Sequence, residues 1–420
     1  MPLKDIGIGK KKFDTTIKPW KIPWYVKGLE WTIMSYHKIT GNVKVVKEGM
    51  EGLKPPYLLL SNHASFIDFV CQGLATFPKV PTWVSTIEEY IGKEWLFRSL
   101  GTICKRKFTS DITVVKNILH ALKKNKQIVG IFPEARYSLA GITEETDSMA
   151  YARLIKVAKV PVVICNMKGN FIRSPQWHKR PYKKIPTIAN VKLVITEEEA
   201  KTLSQEEIAK RIDEHFIYDD YAYWQNSGVK IKSKYRAQNI HNILYKCPHC
   251  GVEHEMTSHQ NRLWCESCGH EWELTETGKL VSVDGETYFE HVPDWYRWER
   301  ECVNEEVRSG AYHFEDTVRV EYLQCSAKGF VPIGTGKLTH DENGFRLCGT
   351  MDDGNYLTVH RPVESMYSCH IEYNFKGRGD AIDLPTYDDT YFVFPLNTKN
   401  GLTKIHFAVE ALYKKQNGTL

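Results

Sequence analysis

Y-L-L-L-S-N-H-A-S-F-I-D, residues 57–68, is the most informative stretch of this 420-residue chain. The apolar run 57–60 is typical of a buried strand that ends at Ser61. His63 follows at a strand-to-helix corner, and Asp68 stands five positions further on. An imidazole takes up a proton near neutral pH, and a neighbouring carboxylate fixes its tautomer and stabilises the imidazolium. The stretch therefore predicts a general-base pair at the end of a strand.

The same spacing occurs a second time, in His215 and Asp220. This second pair lies in an acidic run, follows no predicted strand and has no partner motif. We therefore interpret it as the surface end of a helix, and it serves as an internal control for the first pair.

Strand and helix patterns alternate between about residues 43 and 225, which favours an α/β domain with a largely buried sheet. A helix is predicted at Ile112–Lys124, and a capping-box pattern pairs Ser204 with Glu207 at the start of another. The predicted strands cover residues 43–46, 57–61, 82–85, 128–132, 162–166 and 191–196.

A second polar motif, I-F-P-E-A-R-Y-S at residues 131–138, also stands at the end of a predicted strand. In α/β sheets, ligands bind beyond the carboxyl ends of the strands. We therefore expect this motif and His63 to share one crevice.

N-H-x-x-x-x-D followed by F-P-E and an arginine resembles the glycerolipid acyltransferase family, whose best-known members acylate lysophosphatidic acid. The family's middle G-x-x-x-x-x-R element corresponds to residues 100–107, L-G-T-I-C-K-R-K, and its V-P-V element to residues 160–163. The resemblance covers about residues 40–220. It implies an α/β acyltransferase domain with a mixed sheet, at residues 41–235, and an acyl thioester, acyl-CoA or acyl-ACP, as co-substrate.

The resemblance also implies roles for individual residues. His63 would act as general base and Asp68 would orient it, while Glu134 would bind the acceptor. The start of the helix after His63 could offer amides to a phosphate or an oxyanion. The cations expected at the acceptor's phosphate are Arg136, Lys105, Arg106 and Lys107.

Two departures from the family pattern leave the choice among these cations open. The family usually reads F-P-E-G-T-R-S, whereas this chain reads F-P-E-A-R-Y-S, so Arg136 stands one place early. In the middle element, the expected arginine position falls on Lys107, with Arg106 one place before it.

The N-terminal segment, residues 1–40, is basic and aromatic in a chain of net charge +5. It predicts a helix at about Pro23–Lys38 that either lies at a lipid interface or packs on the body of the protein. No stretch approaches 18 apolar residues and no apolar signal region follows Met1, so we expect a cytoplasmic protein. We expect it to associate peripherally with the inner face of the cell membrane, where it would meet its lipid acceptor.

Four cysteines spaced C-x₂-C-x₁₄-C-x₂-C predict a small zinc ribbon at residues 240–275. Four thiolates suit a closed, structural zinc site, and a glycine after each pair suits the turns of a ribbon. The ligands would be Cys247, Cys250, Cys265 and Cys268. Ribbons also bind nucleic acid or protein; the alternative is a structural clip between two domains.

Residues 276–420 contain short strands with turn signals and end in an amphipathic helix. A small barrel of the pleckstrin-homology sort fits this order of elements. The region carries no recognisable catalytic pattern, and regulation, partner contact or docking of acyl carrier protein are all compatible with it.

Three functional hypotheses follow. The first is acyl transfer to lysophosphatidic acid, and the second is the same chemistry on glycerol 3-phosphate, another lysophospholipid or an amino-lipid. The third is a zinc-ribbon binding module on an inactive acyltransferase scaffold. The intact His63, Asp68 and Glu134 argue against the third, so we do not expect nucleic acid as a partner.

Overall fold

The computed structural model describes residues 13–40, 43–109, 111–178, 182, 185–325 and 328–420. The first twelve residues of the predicted N-terminal segment therefore lie outside the described part of the chain. Among the helices of the described part, none is both long enough and apolar enough to cross a membrane.

The N-terminal unit alternates strands and helices as predicted. Its strands are β1 (Val43–Glu48), β2 (Leu58–Ser61), β3 (Thr82–Thr86), β4 (Ile103–Lys105), β5 (Val129–Ile131), β6 (Val162–Lys168) and β7 (Thr187–Ile195). Its helices are α1 (Trp24–Thr40), α2 (Asp68–Thr76), α3 (Glu94–Ser99), α4 (Ile112–Lys123), α5 (Ser148–Ala158), α6 (Asn170–Arg173), α7 (Glu197–Thr202), α8 (Gln205–His215) and α9 (Asp220–Asn226).

The described strands of this unit form one sheet in the order β1-β7-β6-β2-β5-β3-β4. All neighbours are parallel except β6 and β7, so the predicted mixed sheet is confirmed. β2 and β5 pair directly, with Leu60 opposite Ile131. Because parallel strands end at the same edge, this register brings the two predicted motifs together.

Helix α1 packs on the body of the protein through a narrow stripe formed by Val26, Glu30 and Met34. Met34 lies against α2 at Gly73, where an added Cβ would stand 2.6 Å from the Met34 sulfur. The rest of the helix exposes large apolar side chains, including Trp24 at 84% and Ile39 at 83% exposure. The helix thus contacts the body and also presents an apolar surface to its surroundings.

The cysteine-rich unit, described without gaps, contains the strands β8 (Met256–His259), β9 (Arg262–Cys265), β10 (Glu271–Leu274) and β11 (Leu280–Ser282). They form an antiparallel sheet in the order β11-β10-β9-β8. The last strand lies beyond residue 275, the boundary expected from the cysteine spacing.

The C-terminal unit opens with a helix that the sequence did not reveal, α10 (Val292–Ser309). Its strands are β12 (Phe314–Cys325), β13 (Gly329–Asp341), β14 (Gly344–Thr350), β15 (Tyr356–Arg361), β16 (Ile371–Glu372), β17 (Ala381–Pro385) and β18 (Thr390–Pro395). They form an antiparallel sheet in the order β15-β14-β13-β12-β18-β17-β16, and helix α11 (Leu402–Gln416) follows them. The expected antiparallel β-rich region is present, and α10 and α11 pack on each other.

A continuous apolar core joins the three units. It runs from Phe171 and Trp224 through Trp272 of the ribbon to Trp295 and Phe407 of the C-terminal helices, all of them buried. This contact fixes the C-terminal unit against the edge of the N-terminal sheet where β2 and β5 end.

Candidate active site

His63 and Asp68 form a close pair immediately after β2. Nδ1 of His63 lies 2.9 Å from Oδ2 of Asp68, and the Asp68 carboxylate is fully buried while the His63 side chain is 13% exposed. A carboxylate at Nδ1 stabilises the tautomer with its proton on that nitrogen, which leaves Nε2 as a lone-pair acceptor. Among the described residues, no hydrogen-bond partner is found for Nε2, so this nitrogen is available to a substrate.

Asp68 is held by more than its histidine. Its Oδ2 also accepts from the backbone N–H groups of Ala64, at 2.6 Å, and Ser65, at 2.9 Å, while Oδ1 accepts from the Asn170 side chain at 2.5 Å. These bonds rigidify the corner that carries His63.

The His63 ring is enclosed by aromatic side chains. It stacks on Phe132 at 3.8 Å between ring centroids, and Tyr137 lies at 4.3 Å. Phe69 meets the imidazole edge-on at 5.9 Å. This packing restricts the ring to one orientation, with Nδ1 at Asp68 and Nε2 at the cavity.

Glu134 supports the His63 corner from the neighbouring strand end. One carboxylate oxygen accepts from the backbone N–H of His63 at 2.8 Å, and the other accepts from Tyr218 Oη at 2.5 Å. Ser138 N–H in turn donates to the His63 carbonyl at 2.7 Å. Burial raises the pKa of Glu134 to about 8, against the opposing effect of the bonds from Tyr218 and His63. Fully buried and bonded in this way, Glu134 positions His63, and its predicted direct contact with the acceptor has no geometric support.

Arg136, predicted to meet a phosphate, has buried carboxylate partners instead. Its guanidinium donates to Glu410 at 2.8 Å and to Glu144 at 3.4 Å, and the side chain is almost fully buried. It also donates to His406 Nε2 at 3.0 Å. Burial lowers the pKa of His406 to about 3, so a neutral imidazole accepts this bond. The phosphate role of Arg136 therefore stays a prediction that its contacts do not favour.

The position of the arginine within the F-P-E motif explains why the Arg136 side chain points into the protein interior. Ala135 stands where the family usually has glycine, and its φ is +55°, in the left-handed region that glycine adopts most easily. The following positions then place Arg136 toward the interior and Tyr137 over His63. The aromatic ring of Tyr137 thus takes the place in which the family pattern has its arginine, and the sequence alone did not single out Tyr137.

The three basic side chains of the middle motif lie in different surroundings. Arg106 donates to the carbonyls of Tyr387 and Asp388 in the C-terminal unit, at 3.1 and 2.8 Å. Lys107 faces Glu88 at 4.0 Å and is largely buried. Lys105 lines the cavity next to His63 and has no hydrogen bond or ion pair among the described residues. Of the predicted cations, Lys105 is therefore the best placed to meet an anionic group.

A cavity of about 420 Å³ opens in front of His63. It continues past Val84, Lys105, Ile131 and Tyr151 into a neighbouring groove of about 530 Å³, since these four residues line both. The groove lies between α4 and α5, with apolar walls formed by Val114, Val115, Ile118, Leu154 and Val157. The polar cavity at His63 thus adjoins a groove whose walls are largely apolar.

His215 and Asp220, the pair that serves as an internal control, have other partners than His63 and Asp68 have. His215 Nδ1 contacts the carbonyl of Arg211 at 2.9 Å, and Asp220 accepts from the backbone N–H groups of Gly169 and Phe171. Asp220 is 1% exposed, so the expectation that it lies at the surface is wrong: its carboxylate caps the start of α6. The two residues do not bind each other, although their spacing equals that of His63 and Asp68.

The four predicted cysteine ligands converge at one point. Their sulfur atoms all lie within 4.8 Å of one another, with 3.8 Å between Cys247 and Cys268 and 3.7 Å between Cys250 and Cys265. Four thiolates about 2.3 Å from a tetrahedral zinc ion would stand roughly 3.8 Å apart. The donor set and its spacing therefore fit zinc.

Residues 40–168 match the model of the protein family described as Acyltransferase. Among solved structures, the chain is similar to the 1-acyl-sn-glycerophosphate (LPA) acyltransferase PlsC from Thermotoga maritima, with 18% identity and a TM-score of 0.33. That similarity covers 45% of this chain and 76% of the other. No curated protein matches the chain.

Proposed function

We propose that this protein, whose residues 40–168 carry the Acyltransferase domain, transfers an acyl chain from an acyl thioester to a lipid hydroxyl. The acceptor is a glycerol phosphate of the lysophosphatidic-acid type, and the donor is acyl-CoA or acyl-ACP. One observation carries the proposal: Asp68 holds Nδ1 of His63 at 2.9 Å and leaves Nε2 facing a cavity that adjoins an apolar groove.

The chemistry requires one base and no covalent enzyme intermediate. Nε2 of His63 takes the proton of the acceptor hydroxyl as its oxygen attacks the thioester carbonyl carbon. Asp68 stabilises the imidazolium that forms, as the acid of a catalytic triad does. When the tetrahedral intermediate collapses, the C–S bond breaks and the thiolate leaving group takes the proton from the imidazolium. The products are an ester and a free thiol.

The surroundings of His63 support this assignment. The groove between α4 and α5 is apolar enough to hold an acyl chain, and it meets the cavity at Lys105. Lys105, which has no partner among the described residues, supplies the cation for the acceptor's phosphate. Burial lowers its pKa, an effect that a bound phosphate would oppose.

We assign the lipid contact to α1 and a structural role to the metal site. Trp24, Leu29 and Ile39 are exposed on a helix that also carries lysines, as expected for peripheral docking at the cytoplasmic face of a membrane. Zinc held by the four cysteines would fix the ribbon against the C-terminal unit. All four thiolates would be used as ligands, so the ion would have no open position for chemistry.

Release of free thiol, measured with acyl-CoA and acyl-ACP donors and lysophosphatidic acid, tests the proposal. The wild-type chain should release thiol in an acceptor-dependent manner, and His63→Ala should lower kcat by at least a hundredfold. His215→Ala is the matched control, because its histidine has the same spacing to an aspartate and should leave kcat unchanged. Full activity of a folded His63→Ala protein would refute the mechanism.

The alternative acceptors remain compatible with this chemistry, and the same assay with glycerol 3-phosphate and other lysophospholipids distinguishes them. For an inactive scaffold, we would expect no acceptor-dependent thiol release together with salt-sensitive nucleic-acid binding. The ordered contacts of Asp68 favour an active site over such a scaffold.

A further inference from the structure

Tyr137 lies beside His63, at the position where the acyltransferase pattern usually has its arginine. The two ring centroids are 4.3 Å apart, and both side chains line the same cavity. The described ring neighbours of His63 are Phe69, Phe132 and Tyr137, and only Tyr137 among them has a hydroxyl group. Tyrosine at this position therefore brings a neutral hydrogen-bond donor, in place of a permanent cation, next to His63.

The Tyr137 hydroxyl is available to a ligand. It has no hydrogen-bond partner in the described part of the chain. The hydroxyl of the fully buried Tyr245 also lacks one, but that of Tyr137 retains accessible surface on a side chain that lines the cavity. Burial raises the pKa of the Tyr137 phenol above its ordinary value, and the nearby Asp68 carboxylate raises it further. The group therefore carries its proton at pH 7 and donates hydrogen bonds.

Backbone donors around His63 are already used within the protein. The N–H groups of Ala64 and Ser65 donate to Asp68, and the N–H of Ser138 donates to the His63 carbonyl. These three groups are therefore not free to bind a negative charge that develops beside Nε2. Such a charge needs a donor from another part of the cavity wall.

The C-terminal unit contributes to the same cavity wall. His370, Phe375 and Phe392 line the cavity together with His63 and Tyr137. Two of these three side chains are aromatic hydrocarbons, which exclude water from the space that they cover. A hydrogen bond to a developing charge stabilises it more in such surroundings than in bulk water.

We propose that Tyr137 is a catalytic residue whose hydroxyl donates a hydrogen bond to the thioester carbonyl oxygen and stabilises the oxyanion of the tetrahedral intermediate. This inference rests on the proposed acyl transfer and adds a catalytic group to it. As the acceptor oxygen bonds to the carbonyl carbon, its proton passes to Nε2 of His63. The electron pair of the C=O bond moves to the carbonyl oxygen, where Tyr137 binds it.

The oxyanion then returns its electron pair. The C=O bond forms again, the C–S bond breaks, and the thiolate leaves with the proton of the imidazolium. Tyr137 keeps its own proton throughout, so its role is to stabilise charge and not to transfer a proton.

Tyr137→Phe tests this role, because it removes the hydroxyl and keeps the ring that packs on His63. In the thiol-release assay we expect kcat to fall by about a hundredfold. The KM values for donor and acceptor should stay within about threefold of wild type, since the contact is strongest in the transition state. Tyr235→Phe removes the hydroxyl of an exposed tyrosine that does not line the cavity, and as the matched control it should change neither constant.

A change in KM alone, or an unchanged kcat in folded Tyr137→Phe, would overturn the inference. Thermal unfolding checks that the variant is folded. A purely structural role of Tyr137 would lower Tm and leave kcat of the folded protein unchanged, which also overturns the inference.

Infrared difference spectroscopy tests the contact without turnover. Acyl-CoA, isotope-labelled at the thioester carbonyl, would be bound to His63→Ala protein with and without Tyr137→Phe. A hydrogen bond to the carbonyl oxygen weakens the C=O bond, so the stretch should lie at lower frequency when Tyr137 is present. The same frequency in both proteins would contradict the proposed contact.

The kinetic results distinguish failure of the inference from failure of the proposed function. If the wild-type protein releases no thiol with any acceptor, the proposed acyl transfer and the catalytic role of Tyr137 both fail. If wild type releases thiol and Tyr137→Phe has the same kcat, acyl transfer stands and only the inference fails.

Discussion

Glu410 is the residue whose substitution should most clearly weaken the contact between the C-terminal helix and residues 131–138. It lies in α11, 274 residues after Arg136, and is 2% exposed. One carboxylate oxygen accepts from Arg136 at 2.8 Å and from Ser368 at 2.7 Å, and the other contacts Arg300. Glu144 binds the same two arginines, at 3.4 and 2.9 Å. Two cations and two anions therefore balance in this buried cluster.

Glu410→Gln would leave one buried positive charge without compensation. Loss of one partner from a buried ion pair typically lowers the free energy of unfolding by about 3–5 kcal/mol. In a cooperative unit of 150–250 residues, about 2–4 °C are lost per kcal/mol, which gives a decrease in Tm of roughly 6–20 °C. Removing Arg300 as well (Glu410→Gln with Arg300→Gln) should recover part of this loss, because the remaining Arg136 and Glu144 balance again.

The decrease should also depend on pH. Burial raises the pKa of Glu410, but the surrounding charges, among them Arg300 and Arg136, outweigh burial and lower it. The carboxylate thus stabilises the fold above its unfolded pKa of about 4.3, and this contribution is lost as the pH falls through the lower folded value. The difference in Tm between wild type and Glu410→Gln should therefore be full at pH 7 and shrink below about pH 4.

Thermal unfolding followed by near-UV circular dichroism at pH 7 and at lower pH measures both effects. Glu305→Gln is the control, since Glu305 pairs with Arg308 on the exposed face of α10 and should cost less than about 1 kcal/mol. A change in Tm for Glu410→Gln no larger than that of the control would refute the buried-cluster reasoning.

Three further predictions concern the base, the metal and the membrane. Asp68→Asn should lower kcat of acyl transfer by roughly 10²–10⁴ with a small change in KM, because His63 loses the group that fixes its tautomer; an unchanged kcat in the thiol-release assay contradicts this. Cys268→Ser should lower bound zinc, measured by elemental analysis, together with Tm, whereas Cys302→Ser outside the cluster should alter neither. Trp24→Ala should weaken sedimentation with anionic liposomes by roughly tenfold, and Tyr356→Ala, which removes another exposed aromatic side chain on the C-terminal unit, should not.

Features that depend on neighbouring residues were predictable. The capping box of Ser204 and Glu207 is present at the start of α8, where each side chain bonds the other's backbone. The helix predicted at Ile112–Lys124 is α4, Ile112–Lys123. The strands after which His63 and Glu134 stand are β2 and β5. Such elements form from periodicity and hydrogen bonds within a few residues, which a single sequence displays directly.

Features that depend on residues far away in the sequence were not predictable. Helix α10 is an exception, because it was not predicted although it carries local signals, Pro293 in its first turn and Gly310 in a left-handed conformation just after Ser309. Asp220 was placed at the surface because its backbone partners, Gly169 and Phe171, lie some fifty residues earlier. The partners of Arg136 come from α11, at the far end of the chain.

The sequence by itself determined the local parts of the candidate site: a strand end followed by a histidine and an aspartate five residues apart, and four cysteines in ribbon spacing. Each of these arrangements is visible within a short stretch of the chain. The tertiary structure decided which charges remain free to meet a ligand. It directs Arg136 to Glu410 and Arg106 to the C-terminal unit, leaves Lys105 without a partner among the described residues, and supplies His370 to the cavity wall. Whether a buried charged side chain binds another side chain or a substrate depends on which groups the fold brings within a few ångströms of it. Packing between the units of the protein decides which groups these are.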